Sequence, residues 1–426
     1  MSGINPSSSS VLRVSVVGGG IGGLTAALAL RRSGHDVQVF EASETKTEVG
    51  AALVVPQNAL RVLDHLGISR ENLKGVPFLG GVSIDPESGE STVTRWPTAG
   101  GNSTVSLCCH RGDLYEELKR LATGEGEGPP VKLRFGIKVT ACDPENGTIS
   151  LNNGEVIQSD LVLGADGGHN SVIRTHVVGE VQKILYSGVT LFRAVFELPA
   201  SEVPELRWLT ESVSGVRMAV SKEGPFRMLL MYPCRGGTLL NFVGFYDDPL
   251  QDVKDWSPKA TCEDIRAKFQ CFHSKFLPVL DLPVHSEILK WRLGVLPNLP
   301  TWIRGRAALL GDAAHATLPC LAQGAAMAIE DAGALGCLFP AGTRAADVPE
   351  KLEAYQDLRK ERGEFVSTES VEGLKFLKSG GVNHLKYGGP LGQFQAVTLA
   401  RLYEYDAIKV AQDCYEQRFG NRSPAN

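Results

Sequence analysis

The sequence predicts an α/β protein: a parallel-sheet domain that the chain enters three times, interleaved with a β-sheet domain and followed by C-terminal helices. Three observations predict it. A β-branched run, Leu12 to Val17, leads directly into Gly18-x-Gly20-x-x-Gly23. A second strand-like run, Asp36 to Phe40, ends on the acidic Glu41. Far downstream, the apolar run Ala307 to Leu310 ends in Gly311-Asp312-Ala313-Ala314-His315, followed by Pro319 and Gln323-Gly324.

The first run reads as a buried strand. Gly18, Gly20 and Gly23 then permit a tight turn, close approach of the backbone to a pyrophosphate, and close strand–helix packing. Leu24 to Leu30, rich in Ala and Leu, reads as a helix whose free N–H groups and dipole favour phosphate. Glu41 stands where an acidic residue accepts ribose hydroxyls, about 20 positions past the glycines. These features define a Rossmann-like dinucleotide site. At the distant segment, Asp312 follows a strand that ends in a sharp turn, and Gln323-Gly324-Ala325 opens a further helix. A helix N-terminus carries about half a positive charge and suits the reactive ring of a long cofactor. A phosphate end and a ring end held by distant parts of one domain describe FAD better than NAD.

The chain divides accordingly. Residues 1–10 form a disordered lead. Residues 11–77, 107–178 and 296–345 form the cofactor domain, with helices from Gln57 to Leu66 and from Asp113 to Leu121 and a loop Gly50-Ala51-Ala52. Residues 78–106 and 179–295 carry repeated β signals, such as Gly188 to Leu198, Arg227 to Tyr232 and Thr238 to Phe245, and form a substrate-domain sheet over the ring end. Residues 346–426 are helical, with an amphipathic helix from about Phe394 to Arg418.

Bulk properties narrow the function. A chain of 426 residues is long for one core and suggests two domains sharing a cleft. A net charge of −5 offers no polyanion-binding surface, which argues against nucleic acid. The nine cysteines are scattered, without a CxxC pair, and read as reduced thiols. The polar N-terminus lacks the apolar core of a signal peptide, and no apolar stretch is long enough to span a membrane. These features point to the cytoplasm. The nine histidines, His315 among them, form no metal set.

The residues of GGGIGG (18–23) with Glu41, His110-Arg111-x-Asp113-Leu114, Gly164-Ala165-Asp166-Gly167 and the stretch from Gly311 to Ala332 occur in the order of a known family. The chain resembles the single-component FAD-dependent aromatic monooxygenases, of the salicylate hydroxylase-like group common in fungal secondary metabolism. The resemblance implies a hydroxybenzoate hydroxylase-like fold with non-covalent FAD. It implies NADH or NADPH as a transient co-substrate without its own Rossmann domain, and O2 activated as a C4a-hydroperoxyflavin. It gives Arg111 the pyrophosphate, which its planar pair of donors suits, with Asp113 capping the following helix. Asp312 is given the ribityl chain, and Gly324 and Ala325 the ring. Asp166 falls in a motif shared between FAD and nicotinamide; beside phosphates, its task is to bind hydroxyl or N–H groups. Ala52 completes the cofactor set. The family has Gly-Gln-Gly where this chain has Ala322-Gln323-Gly324, which bears on the path of that loop.

For the substrate, Val189, Leu191, Arg193 and Val195 share one face of a strand, so an arginine interrupts an apolar face. Tyr232 shares a face with Met228 and Leu230. In related phenol hydroxylases an Arg and a Tyr on this sheet hold a phenolate, which makes Arg193 and Tyr232 the candidate catalytic pair; the alternative is an arginine paired with a carboxylate beside a core tyrosine. The expected reaction is hydroxylation of a phenolic or polyketide-derived aromatic, with or without dearomatisation. The alternatives are epoxidation of a terpenoid or indole alkaloid and, in a different class, a non-catalytic escort protein on the same scaffold.

Overall fold

A computed structural model describes residues 11–44, 51–95, 105–199, 203–248, 259–282, 286–379 and 396–420. The expected lead at 1–10, together with Gly50 and Phe394, lies outside the described residues.

Arg13–Val17 is a central strand of a six-stranded sheet and is flanked in parallel by Leu161–Gly164 and Asp36–Glu41. Ala307–Leu309 and Lys132–Phe135 continue the parallel order outward, and Ile303–Arg304 closes one edge. Val14, Val16 and Val17 are buried, as a parallel strand covered on both faces requires. Helices Ile21–Arg32 and Gly324–Leu338 lie against each other through small residues, Gly22 beside Ala328 and Gly336 beside Ala29. The two halves of the cofactor domain, remote in sequence, therefore share one helical layer.

The second domain is an eight-stranded sheet. Its order is Lys259–Ala260, Ile288–Val295, Leu185–Glu197, Leu239–Asp247, Arg227–Cys234, Gly215–Val220, Gly80–Ile84 and Ser91–Arg95. Alternation sorts its faces. Phe192, Ala194, Phe196, Leu229, Met231 and Phe242 pack with the buried residues of helices Cys262–Phe269 and Leu277–Asp281. Val189, Leu191, Met228, Val243 and Phe245 form the opposite face, covered by Leu318 and by Leu374 and Leu377 of the long helix Val348–Lys378. Where the domains meet, a three-stranded sheet of Ala52–Val55, Leu107–His110 and Val76–Pro77 brings Ala52 and Cys108 against Val216, Tyr232 and Cys234.

Two expected elements differ. The helix after Arg111 runs over Arg111–Thr123 with His110 at its N-cap, so Asp113 is not the cap. Instead Asp113 accepts two bonds from Arg235, at 2.8 and 2.9 Å, which joins the domains. The expected C-terminal amphipathic helix is two helices, Ala396–Tyr403 and Ala407–Phe419. The break has a tertiary cause. Arg362 donates to the carbonyls of Arg401 and Leu402 and stacks 4.0 Å from the Tyr405 ring centroid, while Asp406 caps the second helix. Among the described residues, no helix is long and apolar enough to cross a membrane.

Under the cofactor domain lies a fully buried ion network that sequence reading did not resolve. Arg359 donates to Asp331 and Glu330, both at 2.8 Å, and Arg362 donates to both Glu330 oxygens at 2.6 and 2.7 Å. Asn58 adds a bond to Glu330 at 2.7 Å. Asp331 Oδ2 accepts the Gly311 N–H at 3.0 Å and is 2.6 Å from His315 Nε2. Burial opposes ionisation of Asp331, but the charges of His315 and Arg359 outweigh it and hold the carboxyl down at about 2.

Arg359→Ala leaves two buried carboxylates short of a cation and is expected to cost about 3–5 kcal/mol, read as a lowered thermal midpoint. A midpoint unchanged from wild type would show that the network is dispensable. Because the folded pKa of Asp331 is depressed, its stabilisation is present above the unfolded carboxyl value near 4 and is lost as the pH falls through about 2. Asp331→Asn should flatten that part of the acid denaturation profile.

Candidate active site

A solvent-connected cavity of about 480 Å³ runs along the carboxyl ends of the parallel strands. Eight of the expected cofactor residues line it: Gly18, Gly20, Glu41, Arg111, Asp166, Asp312, Gly324 and Ala325. Gly23 and Ala52 do not. Gly23 lies behind the cavity, where a Cβ would overlap the Gly18 carbonyl oxygen, so it serves the close strand–helix packing. Ala52 lies at the domain junction. Lys138 and Asn170 also line the cavity, and the sequence reading missed both.

The geometry fits a dinucleotide. A Cβ added at Gly20 meets no protein atom within 4 Å, so nothing in the protein crowds that position and the open space faces the cavity. The first turn of Ile21–Arg32 presents its N-terminal end at the same place. Glu41 is braced by the N–H groups of Gly19 at 2.7 Å and Ser43 at 2.8 Å, each using one carboxylate oxygen. The remaining lone pairs are available to ribose hydroxyls. Asp166 takes the Ser171 hydroxyl at 2.5 Å and the N–H groups of Val172 and Ile173 at 2.7 and 3.1 Å. Burial raises its pKa above the usual carboxylate value, and these bonds only partly offset that. Its bonds are thus to a hydroxyl and to N–H groups, and they anchor the helix Val172–Val178 beside the cavity. Arg174, also missed from sequence, donates to the carbonyls of Gly167, Gly168 and Ala313 at 3.3, 2.6 and 3.2 Å, clamping the two loops that carry Asp166 and Asp312.

At the far end, Gly311 (φ +59°) turns the chain so that exposed Asp312 starts a short helix at the cavity wall. Asp312 makes no side-chain hydrogen bond among the described residues, which leaves its carboxylate for a ligand. Gly324 and Ala325 form the first turn of Gly324–Leu338, and Asn58 holds the preceding Gln323 at 2.9 Å. Ala322 is the point of departure from the Gly-Gln-Gly pattern. It adopts a left-handed conformation (φ +54°, ψ +29°), so the loop keeps a glycine-type path although a methyl group is present.

Arg193 and Tyr232 come together on the sheet face turned to this domain. Arg193 Nη2 donates to the Ala52 carbonyl, its Nε is buried without a partner, and its guanidinium lies 5.8 Å from the Trp291 ring centroid. Among the described residues no carboxylate pairs with it. Burial lowers its pKa, the nearby Tyr232 opposes that, and Arg111 adds to it. Tyr232 is itself buried, which raises its pKa well above the usual phenol value. Asn241, directly opposite Tyr232 in the sheet, was not foreseen; its Oδ1 accepts the Ala52 N–H at 3.4 Å. Both polar groups of Ala52 are therefore fastened to the substrate sheet. His315 is buried in the ion network and packs 5.2 Å from Trp302, a structural setting.

Fold and cavity define a FAD-binding flavoprotein with a second, β-sheet domain. Comparison with known proteins agrees. The profile described as "FAD binding domain" matches residues 127–370, and that described as "NAD(P)-binding Rossmann-like domain" matches residues 16–46. Hispidin-3-hydroxylase from Neonothopanus nambi is 40% identical over 85% of this chain and 88% of its own length. The FAD-dependent monooxygenase cfoG of Aspergillus candidus is 32% identical over 97% and 98%. A salicylate hydroxylase–substrate complex superposes with a TM-score of 0.71 at 25% identity, covering 95% of this chain and 98% of that one. The chain belongs to the family of FAD-dependent monooxygenases that carry this FAD binding domain. It is an oxidoreductase of the aromatic hydroxylase type, with FAD as cofactor and a nicotinamide dinucleotide as co-substrate. These relatives are enzymes, which sets aside the escort alternative.

Asp312→Ala should weaken FAD retention by about 1–3 kcal/mol through loss of a hydrogen-bond partner; an FAD content and dissociation constant equal to wild type would count against that contact. Ala322→Gly relieves a left-handed alanine and should raise stability by about 0.5–1 kcal/mol after the entropy cost of glycine. A lowered thermal midpoint would mean that the loop does not take this path.

Proposed function

We propose that the chain uses FAD, NADH or NADPH, and O2 to hydroxylate a phenolic or polyketide-derived aromatic ring, which Arg193 and Tyr232 hold as its phenolate. The observation that carries this reading is a guanidinium on an apolar sheet face with no carboxylate partner among the described residues. An electron-rich ring is what an electrophilic oxygen donor attacks, and ionisation makes the ring richer. A phenol titrates near pH 10, so ionising it at pH 7 requires about 3 units, roughly 4 kcal/mol. A partly desolvated cation within ~4 Å supplies energy of that order. An isolated alkene would leave the cation without a counter-charge, which favours hydroxylation over epoxidation.

FAD held in the cavity and reduced by the nicotinamide would supply the activation of O2. The protein contributes binding, orientation and dryness. Arg193 holds the substrate oxygen, Tyr232 stays neutral and can donate to it, and the apolar face formed by Leu191, Met228 and Val243 excludes water. All nine cysteines are free, which supports a reducing, cytoplasmic setting.

Arg193→Ala is expected to abolish hydroxylation while FAD stays bound, with residual NAD(P)H oxidation that releases hydrogen peroxide. Activity should recover in part as the pH approaches the phenol's own pKa, because the phenol then ionises unaided. A deficit that stays flat across that range would show that Arg193 only positions the substrate or braces Ala52.

A further inference from the structure

We infer that Lys138 is a FAD-binding residue whose ammonium answers the negative charge of the cofactor's adenosine diphosphate half. It belongs to no motif in the sequence, and its role is independent of the substrate, because it concerns how the cofactor is retained.

Local structure fixes where Lys138 stands. The N–H groups of Gly136 and Ile137 donate to the carbonyls of Ser43 and Glu41, both at 3.0 Å. These bonds lay residues 136–138 alongside the end of the strand Asp36–Glu41, next to the carboxylate expected to hold ribose. Asn152 then grips the Lys138 backbone twice. Its Oδ1 accepts the Lys138 N–H at 3.1 Å, and its own N–H donates to the Lys138 carbonyl at 2.8 Å. Val139, the next residue, is buried and lines the cavity as well. With both backbone polar groups engaged, the side chain is what Lys138 offers to the cavity it lines.

Charge gives that side chain a task. Two other basic residues of the same stretch are neutralised on the spot: Lys132 meets Asp36 at 3.0 Å and Arg134 meets Glu155 at 2.8 Å. The Lys138 ammonium makes no hydrogen bond or ion pair among the described residues, although it lines the cavity beside Glu41. The described lining holds two cations, Arg111 and Lys138, with three acidic side chains, Glu41, Asp166 and Asp312. A pyrophosphate diester brings two more negative charges into these walls, one on each phosphorus. Arg111 supplies one positive charge, and the first turn of Ile21–Arg32 adds a partial one. Lys138 supplies the second full charge, and its four-carbon stem lets an ammonium reach a ligand from an exposed position. An exposed cation is screened by salt, so FAD retention through Lys138 must depend on ionic strength.

The test compares the wild-type holoenzyme with Lys138→Met, which keeps the stem and removes the charge, and with Lys138→Arg, which keeps the charge. FAD dissociation constants are read from the rise of flavin fluorescence on dilution, at ionic strengths of about 0.01 M and about 1 M. Lys138→Met is expected to weaken FAD binding about tenfold at the lower ionic strength, a difference of about 1.4 kcal/mol. At the higher one the loss should shrink below about threefold, since screening then removes most of the wild-type advantage. Lys138→Arg should stay within about threefold of wild type at both. The thermal midpoint of flavin-stripped Lys138→Met should equal that of stripped wild type. An unchanged FAD affinity in Lys138→Met at low ionic strength would overturn the inference outright. So would a loss of the same size at both ionic strengths, a loss shared by Lys138→Arg, or a lowered midpoint of the stripped protein, each of which would assign the effect to packing rather than charge.

Discussion

The position of the ring end of the site depends on one carboxylate, that of Asp331. It sits in the second turn of Gly324–Leu338 and accepts the N–H of Gly311, the residue whose positive-φ turn places Asp312 at the cavity wall. The same carboxylate meets His315 and Arg359. A helix and a loop that both touch the cofactor cavity are thus tied to one side chain, and through Arg359 to the long helix Val348–Lys378. Removing charges from water is expensive, and a buried ion network returns that cost only if every member is paired. Two carboxylates facing two guanidiniums balance the charge, although Arg359 Nη1, His315 Nδ1 and Asn58 Oδ1 are buried without a hydrogen-bond partner. The arrangement stabilises little beyond what well-packed apolar residues would.

A second constraint acts where the domains meet. Ala52 belongs to the cofactor domain, yet its N–H and carbonyl bond to Asn241 and Arg193 of the substrate sheet. The Nη2 group of Arg193 thereby fastens the two domains. Asp113 and Arg235 form a second strap between the same domains. Its acid is the one the sequence pattern places at a helix cap.

The cofactor half of the site was legible in the sequence because it is built from local rules. A glycine fingerprint between a strand and a helix, an acid at the end of the next strand, and an Asp after a Gly turn each follow from backbone geometry within a few residues. Eight of the ten residues chosen from those rules and from the family resemblance line the cavity. The two exceptions are instructive. Gly23 obeys the fingerprint but serves packing, since its neighbour is the Gly18 carbonyl. Ala52 lies at a junction whose other side comes from strands far along the chain. Lys138 and Arg174 were missed for the same reason, as neither lies in a local pattern that marks it.

The sequence by itself determined the class of protein, the interleaving of its domains, the cofactor and the face on which Arg193 and Tyr232 stand. Periodicity and turn chemistry act over short stretches and are written in the order of residues. Tertiary structure alone decided what those side chains meet. The break at Glu404–Asp406 in the expected final helix, the pairing of Asp113 with Arg235, the ion network around Asp331 and the absence of a carboxylate beside Arg193 among the described residues all depend on partners remote in sequence. Charge is the physical reason. A lone arginine in a strand pattern has the same sequence signature whether an acid meets it or not, and only the packed structure shows which side chains come within reach.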